Sequence, residues 1–330
     1  MTKQEFRELI SRKIVVLDGA TGSNLQQAGM PIGVCPEQWI LENEDVLIEL
    51  QKGYLEAGSD IVYAPTFTSN RIKLAEYGLE DEIESINRRL VDLSRRAISE
   101  SNLSGRKAYI AGDLTMTGEQ LYPMGKLKFE ELVEIYKEQV MYLLMEGVDL
   151  FIVETMMSLQ ECRAAVIAIK EICDLPIMVT LTFNDDFRTL YGTESEAAMV
   201  VLQELGADAV GVNCSTGPDK MSEVVTRMKR VANVPIIAKP NAGMPVLIDG
   251  KTIYNMNPEE FSSKSRLLIE AGAGIVGGCC GTTVEHMRKL AVVAAEYKPS
   301  TVSNKKASRL TTERSVLTID LNGRFMIIGE

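Results

Sequence analysis

Ala271-Gly272-Ala273-Gly274-Ile275-Val276-Gly277-Gly278-Cys279-Cys280-Gly281-Thr282-Thr283 reads as a tight turn, a short apolar strand and a glycine-bracketed strand end. Neighbouring side chains of a strand point to opposite faces. For Cys279 and Cys280 to face one point, the chain must leave strand geometry at the glycines, which visit φ > 0 cheaply. A helical pattern precedes the stretch (Pro258–Glu270) and another follows it (Thr283–Tyr297).

The same unit recurs along the chain. After a short amphipathic helix, Thr2–Arg12, the apolar runs are Ile14–Leu17, Asp60–Ala64, Ala108–Gly112, Leu150–Glu154, Ile177–Leu181, Ala209–Asn213, Pro235–Lys239 and the run ending at Cys279. Helical periodicity separates them over Asp45–Ala57, Ile83–Ser99, Phe129–Glu146, Leu159–Ile172, Glu194–Leu205, Asp219–Val231 and Pro258–Glu270. Continuous apolar strands alternating with amphipathic helices signal a parallel sheet covered on its outside. Eight such units in about 290 residues predict an α/β fold of the (β/α)8 TIM-barrel type rather than an open doubly wound sheet. Glycines at Gly58, Gly206 and Gly272 are expected to end helices at tight turns into the next strand.

Residues 1–297 are thus expected to form the barrel. Residues 298–315 are rich in Ser, Thr, Lys and Arg and read as a linker. Residues 316–330 hold two short apolar runs around Asn322-Gly323, a strong hairpin signal.

The 330-residue chain is 45% hydrophobic and 25% charged, ordinary for a globular protein. Its net charge of −11 argues against nucleic acid and anionic membrane as partners. Six cysteines are too sparse for a disulfide scaffold. No secretory leader or membrane-spanning run is legible, so a reducing, cytoplasmic setting is expected. The single histidine, His286, removes most histidine-based catalysis and is expected to be a surface or supporting residue.

Barrel enzymes carry their chemistry at the C-terminal ends of strands. Those ends are Asp18, Thr66, Asp113, Glu154, Thr182, Asn213 with Cys214, Asn241, and Cys279 with Cys280. Three thiols therefore converge on one mouth. They suit one zinc ion with an open fourth position. Packing, or a vicinal Cys279–Cys280 disulfide, are the alternatives. A free thiol is only a few per cent thiolate at about pH 7, and coordination to zinc would raise that fraction roughly thirtyfold. Cys35, Cys162 and Cys173 are expected to be incidental thiols. Asp18 and Glu154 suit a substrate ammonium. The backbone of Asp18-Gly19-Ala20-Thr21-Gly22-Ser23-Asn24 suits a carboxylate, or is a plain turn. Thiol, cation and anion sites together describe an amino-acid thiol.

Asp18-Gly19-Ala20-Thr21-Gly22, Val153-Glu154-Thr155, Gly211-Val212-Asn213-Cys214, Pro240-Asn241-Ala242-Gly243 and Gly277-Gly278-Cys279-Cys280-Gly281-Thr282-Thr283 resemble the homocysteine S-methyltransferase family. The resemblance implies a zinc barrel that methylates homocysteine to methionine. It places zinc (Zn2+) on Cys214, Cys279 and Cys280. It places homocysteine on Asp18, Glu154, Asn213 and the backbone of Gly19, Ala20 and Thr21. The tail Phe325-Met326-Ile327-Ile328-Gly329-Glu330 looks like the entry to a folate-binding barrel, as in cobalamin-dependent methionine synthases. That likeness implies a homocysteine module working with cobalamin-binding and folate-binding modules, in cis or in trans, with methylcobalamin as donor. Betaine and S-methylmethionine enzymes share the barrel, so those donors stay open, as does a binding module without turnover.

Overall fold

The computed structural model describes residues 1–248, 251–299 and 307–319. The parallel strands are β1 (Val15–Val16), β2 (Ile61–Tyr63), β3 (Tyr109–Leu114), β4 (Leu150–Met156), β5 (Ile177–Leu181), β6 (Ala209–Asn213) and β7 (Ile236–Lys239). A hairpin of β8 (Pro245–Ile248) and β9 (Lys251–Tyr254) follows, then the eighth parallel strand, β10 (Ala273–Val276). The sheet order is β1-β10-β7-β6-β5-β4-β3-β2. A parallel bridge between Leu17 and Ile61 joins the two ends. The sheet therefore closes into the expected (β/α)8 barrel, with no open edge.

The strands are continuous apolar runs because both faces are buried. Inward residues, among them Val15, Ile61, Ile152, Met178, Ile237 and Ile275, pack with one another and with Phe6 of helix α1 (Lys3–Arg12). A reciprocal cap between Thr2 and Glu5 starts α1. Its Phe6 is fully buried and plugs the barrel at the N-terminal end of the strands. The outer shell is α4 (Glu44–Ala57), α6 (Ile83–Glu100), α7 (Phe129–Met145), α8 (Leu159–Ile172), α9 (Ser195–Leu205), α10 (Pro218–Lys229), α11 (Pro258–Ala271) and α12 (Val284–Ala295). Gly58, Gly206 and Gly272 end α4, α9 and α11 in the left-handed conformation, as their spacing predicts. No helix among the described residues is long and apolar enough to cross a membrane.

Periodicity does not reveal the elements in the loops at the mouth. These are the short helices α2 (Gly22–Gln27), α3 (Pro36–Glu42) and α5 (Arg71–Ala75), and the β8–β9 hairpin. Each helix spans about two turns or fewer, too short for a 3.6-residue pattern to emerge.

Ser308–Thr311 (β11), inside the stretch read as a linker, pairs antiparallel with Val316–Ile319 (β12). That pair lies against α9, where Glu194 N–H donates to the Arg314 carbonyl at 3.1 Å. Alternation between exposed and half-buried residues is too weak there to read as a core strand. The hairpin expected at Asn322-Gly323 lies outside the described residues.

Phe6→Ala should cost about 3–5 kcal/mol of stability, the range for emptying a buried aromatic site. Urea unfolding checks this, and a loss below about 1 kcal/mol would mean that something other than Phe6 closes the barrel floor.

Candidate metal and substrate site

Strand β10 stops at Val276, and the chain then leaves strand geometry. The glycines achieve this differently from the expectation. Only Gly281 has a positive φ, +80°. Gly277 and Gly278 are needed for space: a Cβ on Gly278 would run into the Thr282 side chain. The loop is tied on both sides. Cys279 N–H donates to the Pro240 carbonyl at 2.8 Å, and Ala242 N–H donates to the Cys280 carbonyl at 2.9 Å. On the other side Gly281 N–H donates to Ser23 Oγ at 3.1 Å. Thr282 Oγ1 accepts from Ala20 N–H at 3.0 Å and donates to the Cys279 carbonyl at 2.7 Å.

Cys214 arrives from the end of β6. It and Ser215 adopt left-handed backbone, φ +61° and +60°. Each such residue costs about 1–2 kcal/mol. The reversal brings its thiol to the β10 loop, with Cys214 N–H held by the Lys239 carbonyl at 3.0 Å. The sulfurs of Cys214, Cys279 and Cys280 all lie within 4.8 Å of one another. All six cysteines are free thiols, so the vicinal disulfide is not formed. With Zn–S near 2.3 Å, a tetrahedral site separates its sulfurs by about 3.8 Å, so small side-chain adjustments suffice for this trio to hold zinc. Hydrogen bonds from Cys214 first and Cys279 second pull the Cys280 thiol down to about 3. The same contacts push the Cys279 thiol upward, so the three share their protons as one cluster.

The sulfurs form one wall of a pocket of about 480 Å3 at the barrel mouth. Asp18, Gly19, Ala20, Thr21, Asp113, Glu154 and Lys239 also line it, with Leu25, Met30, Ile40 and Phe67 on its apolar side. Asn213 is fully buried behind the wall. Its amide accepts from Thr155 N–H at 3.0 Å, donates to Thr155 Oγ1 at 2.7 Å and approaches Cys279 Sγ at 3.8 Å. It braces Glu154's neighbour against the cysteine loop.

The backbone near Ala20 offers less than expected. Ala20 N–H is committed to Thr282, and its carbonyl accepts from Tyr54 Oη at 2.6 Å. The N–H groups of Thr21 and Gly22 carry no protein partner among the described residues, and both residues line the pocket.

Lys239 is a charged residue of the pocket that sequence reading missed. It is the last residue of an apolar strand, and in a barrel that position faces the mouth. The signal was present but read as a strand boundary. The residue is 3% exposed. Its ammonium lies 3.1 Å from Asp18 Oδ1, 3.8 Å from Glu154 Oε2 and 3.6 Å from the Tyr63 ring centre. Burial works against its charge, but Tyr63, Asp18 and Glu154 outweigh burial and hold it well above the ordinary lysine range. Asp18 also accepts from Tyr63 N–H at 2.7 Å. Burial raises Asp18, Asp113 and Glu154 above the usual carboxylate range, Asp113 most, with Glu154 adding to it.

His286 is buried, not on the surface. Its Nδ1 accepts from Thr283 N–H at 3.2 Å and caps α12, so Nε2–H donates to the Met256 carbonyl at 3.0 Å. Cys35 and Cys162 are buried and Cys173 half-buried, all away from the trio.

Asp113 ionises near pH 4 when unfolded and well above that when folded. Its stabilising contribution is therefore full below about pH 4 and lost as pH rises toward the folded pKa. Asp113→Asn, which cannot ionise, should melt higher than wild type at pH 8, with the advantage vanishing toward pH 4. A pH-independent difference in melting temperature would contradict this.

Residues 15–294 match the homocysteine S-methyltransferase family. The methionine synthase of Mycobacterium leprae is 32% identical over 90% of this chain and 26% of its own length. The methionine synthase of Mycobacterium tuberculosis is 32% identical over 96% of this chain and 28% of its own length. The chain thus spans about a quarter of those relatives. The metallated form of the homocysteine methyltransferase MmuM from Escherichia coli shares the fold, with a TM-score of 0.71 and 20% identity over 87% of this chain and 98% of that one. With its barrel, its cysteine trio and a family match running almost from β1 to the end of α12, the chain belongs to the homocysteine S-methyltransferase family.

Proposed function

We propose that this protein transfers a methyl group to the thiol of homocysteine, giving methionine, with a zinc ion as cofactor and methylcobalamin on a separate module as donor. The observation that carries the reading is three sulfurs within 4.8 Å of one another on the wall of a pocket that also presents buried carboxylates. The family match supports homocysteine as acceptor. The methionine synthases among its relatives support a cobalamin-borne methyl group, with cobalamin-binding and folate-binding modules as partners.

In this reading Cys214, Cys279 and Cys280 hold the metal. Zinc bound there would supply a fourth position that acidifies an incoming thiol. The chain's own residues do the rest. Glu154 faces the substrate ammonium, and Lys239 keeps Asp18 ionised beside it. The N–H groups of Thr21 and Gly22 orient the carboxylate. Fixing both ends of the amino acid aims its thiol at the sulfur wall. Asn213 positions Thr155 and Cys279 without touching substrate. The apolar side formed by Leu25, Met30, Ile40 and Phe67 keeps water away from the reacting sulfur.

Purified protein should carry one zinc per chain. Cys214→Ala, Cys279→Ala and Cys280→Ala should each lose most of it, and turnover with methylcobalamin should fall by more than ~100-fold. Retained zinc and activity in all three would end the proposal. Parallel assays with betaine and S-methylmethionine test the donor, and faster turnover with either would overturn methylcobalamin.

A further inference from the structure

Among the described residues five acidic residues are buried to nine-tenths or more: Asp18, Glu37, Asp60, Asp113 and Glu161. Four of them have donors. Asp18 has Tyr63 N–H and Lys239; Glu37 has the N–H and hydroxyl of Thr68; Asp60 has Lys13 and Val16 N–H; Glu161 has Thr117 and Tyr136. Asp113 has none. Its backbone is pinned by Thr66, which donates its hydroxyl to the Asp113 carbonyl at 2.9 Å, but no described residue donates to the carboxylate. The side chain is 4% exposed and lines the mouth pocket.

Leaving a buried carboxylate without a partner is costly, and such a group calls for an explanation. The nearby charges supply one. Asp18, Glu37, Asp113 and Glu154 line this pocket against a single cation, Lys239, and Glu37 is answered by Thr68. Lys239 is engaged by Asp18 and lies beside Glu154. Glu154 Oε2 has no hydrogen-bond donor either. Asp113 is thus left with neither donor nor ion pair among the described residues, and Glu154 has only its 3.8 Å ion pair with Lys239, so these two, not Asp18, can take a further cation. Asp113 stands at the end of β3 and Glu154 near the end of the neighbouring β4. Adjacent strands bring the two carboxylates to one side of the pocket.

We propose that Asp113 is a specificity-determining residue which, together with Glu154, takes the α-ammonium of the substrate, so that the site selects thiols bearing an amine over otherwise identical thiols lacking one. The inference rests on the reading of the pocket as a thiol amino-acid site. Lys239 has the complementary task of neutralising Asp18, leaving one side of the pocket open to a foreign cation. A site built around unpaired acceptors rejects an analogue without the matching donor far more strongly than an apolar pocket rejects a shape change. The raised pKa of Asp113 agrees, because an entering ammonium restores the ionised carboxylate.

The test compares homocysteine with 4-sulfanylbutanoate, the same thiol acid without its amine, using the zinc-loaded protein and methylcobalamin. Wild type should prefer homocysteine in kcat/KM. Asp113→Asn should reduce that preference by about 10- to 100-fold, the usual value of a charge-assisted hydrogen bond, mainly through KM for homocysteine. Asp113→Glu, which keeps the charge, should retain more of the preference than Asp113→Asn. Zinc content reports whether each variant keeps its cysteine site. An equal loss on both thiols, or no loss on either, would overturn the assignment. Calorimetric binding of methionine against 4-(methylsulfanyl)butanoate gives the same comparison without turnover. If neither thiol is methylated by wild type, the methyl-transfer reading fails, yet a binding preference for the amine that Asp113→Asn abolishes would still support Asp113. Equal binding of the two by wild type would overturn it.

Discussion

Three sulfur atoms held within 4.8 Å of one another repel as soon as they ionise. The loops around Cys214, Cys279 and Cys280 are built against that repulsion. Cys214 sits in a left-handed conformation that an L-residue avoids, and backbone bonds to Lys239, Pro240 and Ala242 hold both loops to the end of β7. Thr282 and Ser23 tie the opposite side to the loop after β1. A divalent cation turns the same arrangement from strained to favourable, because it replaces mutual repulsion with three bonds. The proposed metal would thus account for the way both loops are tied down.

The acidic side of the pocket follows a related logic. Lys239 is shared between Asp18 at 3.1 Å and Glu154 at 3.8 Å and leaves Asp113 without a partner among the described residues, so one lysine faces more negative charge than it can balance. On the proposed reading, a metal would balance the charge at the sulfurs and a substrate ammonium would balance it at Asp113 and Glu154.

The barrel was legible because its strands are buried on both faces and its helices are long enough to display a period. The cysteine trio was legible because strand ends in a barrel share one mouth, whatever their separation in sequence. What stayed hidden depends on partners. Nothing in the chain order tells that Ala20 N–H goes to Thr282, or that the Asn213 amide donates to Thr155 Oγ1 and approaches Cys279. Lys239 was overlooked because a lysine ending an apolar run reads equally well as the point where a strand meets solvent. Only closure of the barrel puts it 3.1 Å from Asp18. The β8–β9 hairpin carries a readable signal, Asp249-Gly250, between its strands.

X-ray absorption at the zinc edge, recorded before and after homocysteine is added, tests the central claim most directly. Three sulfurs around zinc rising to four on addition is the predicted result, with the fourth lost when the homocysteine oxygen analogue, homoserine, is supplied instead. A sulfur count that stays at three with saturating homocysteine, or that never reaches three, would contradict the account.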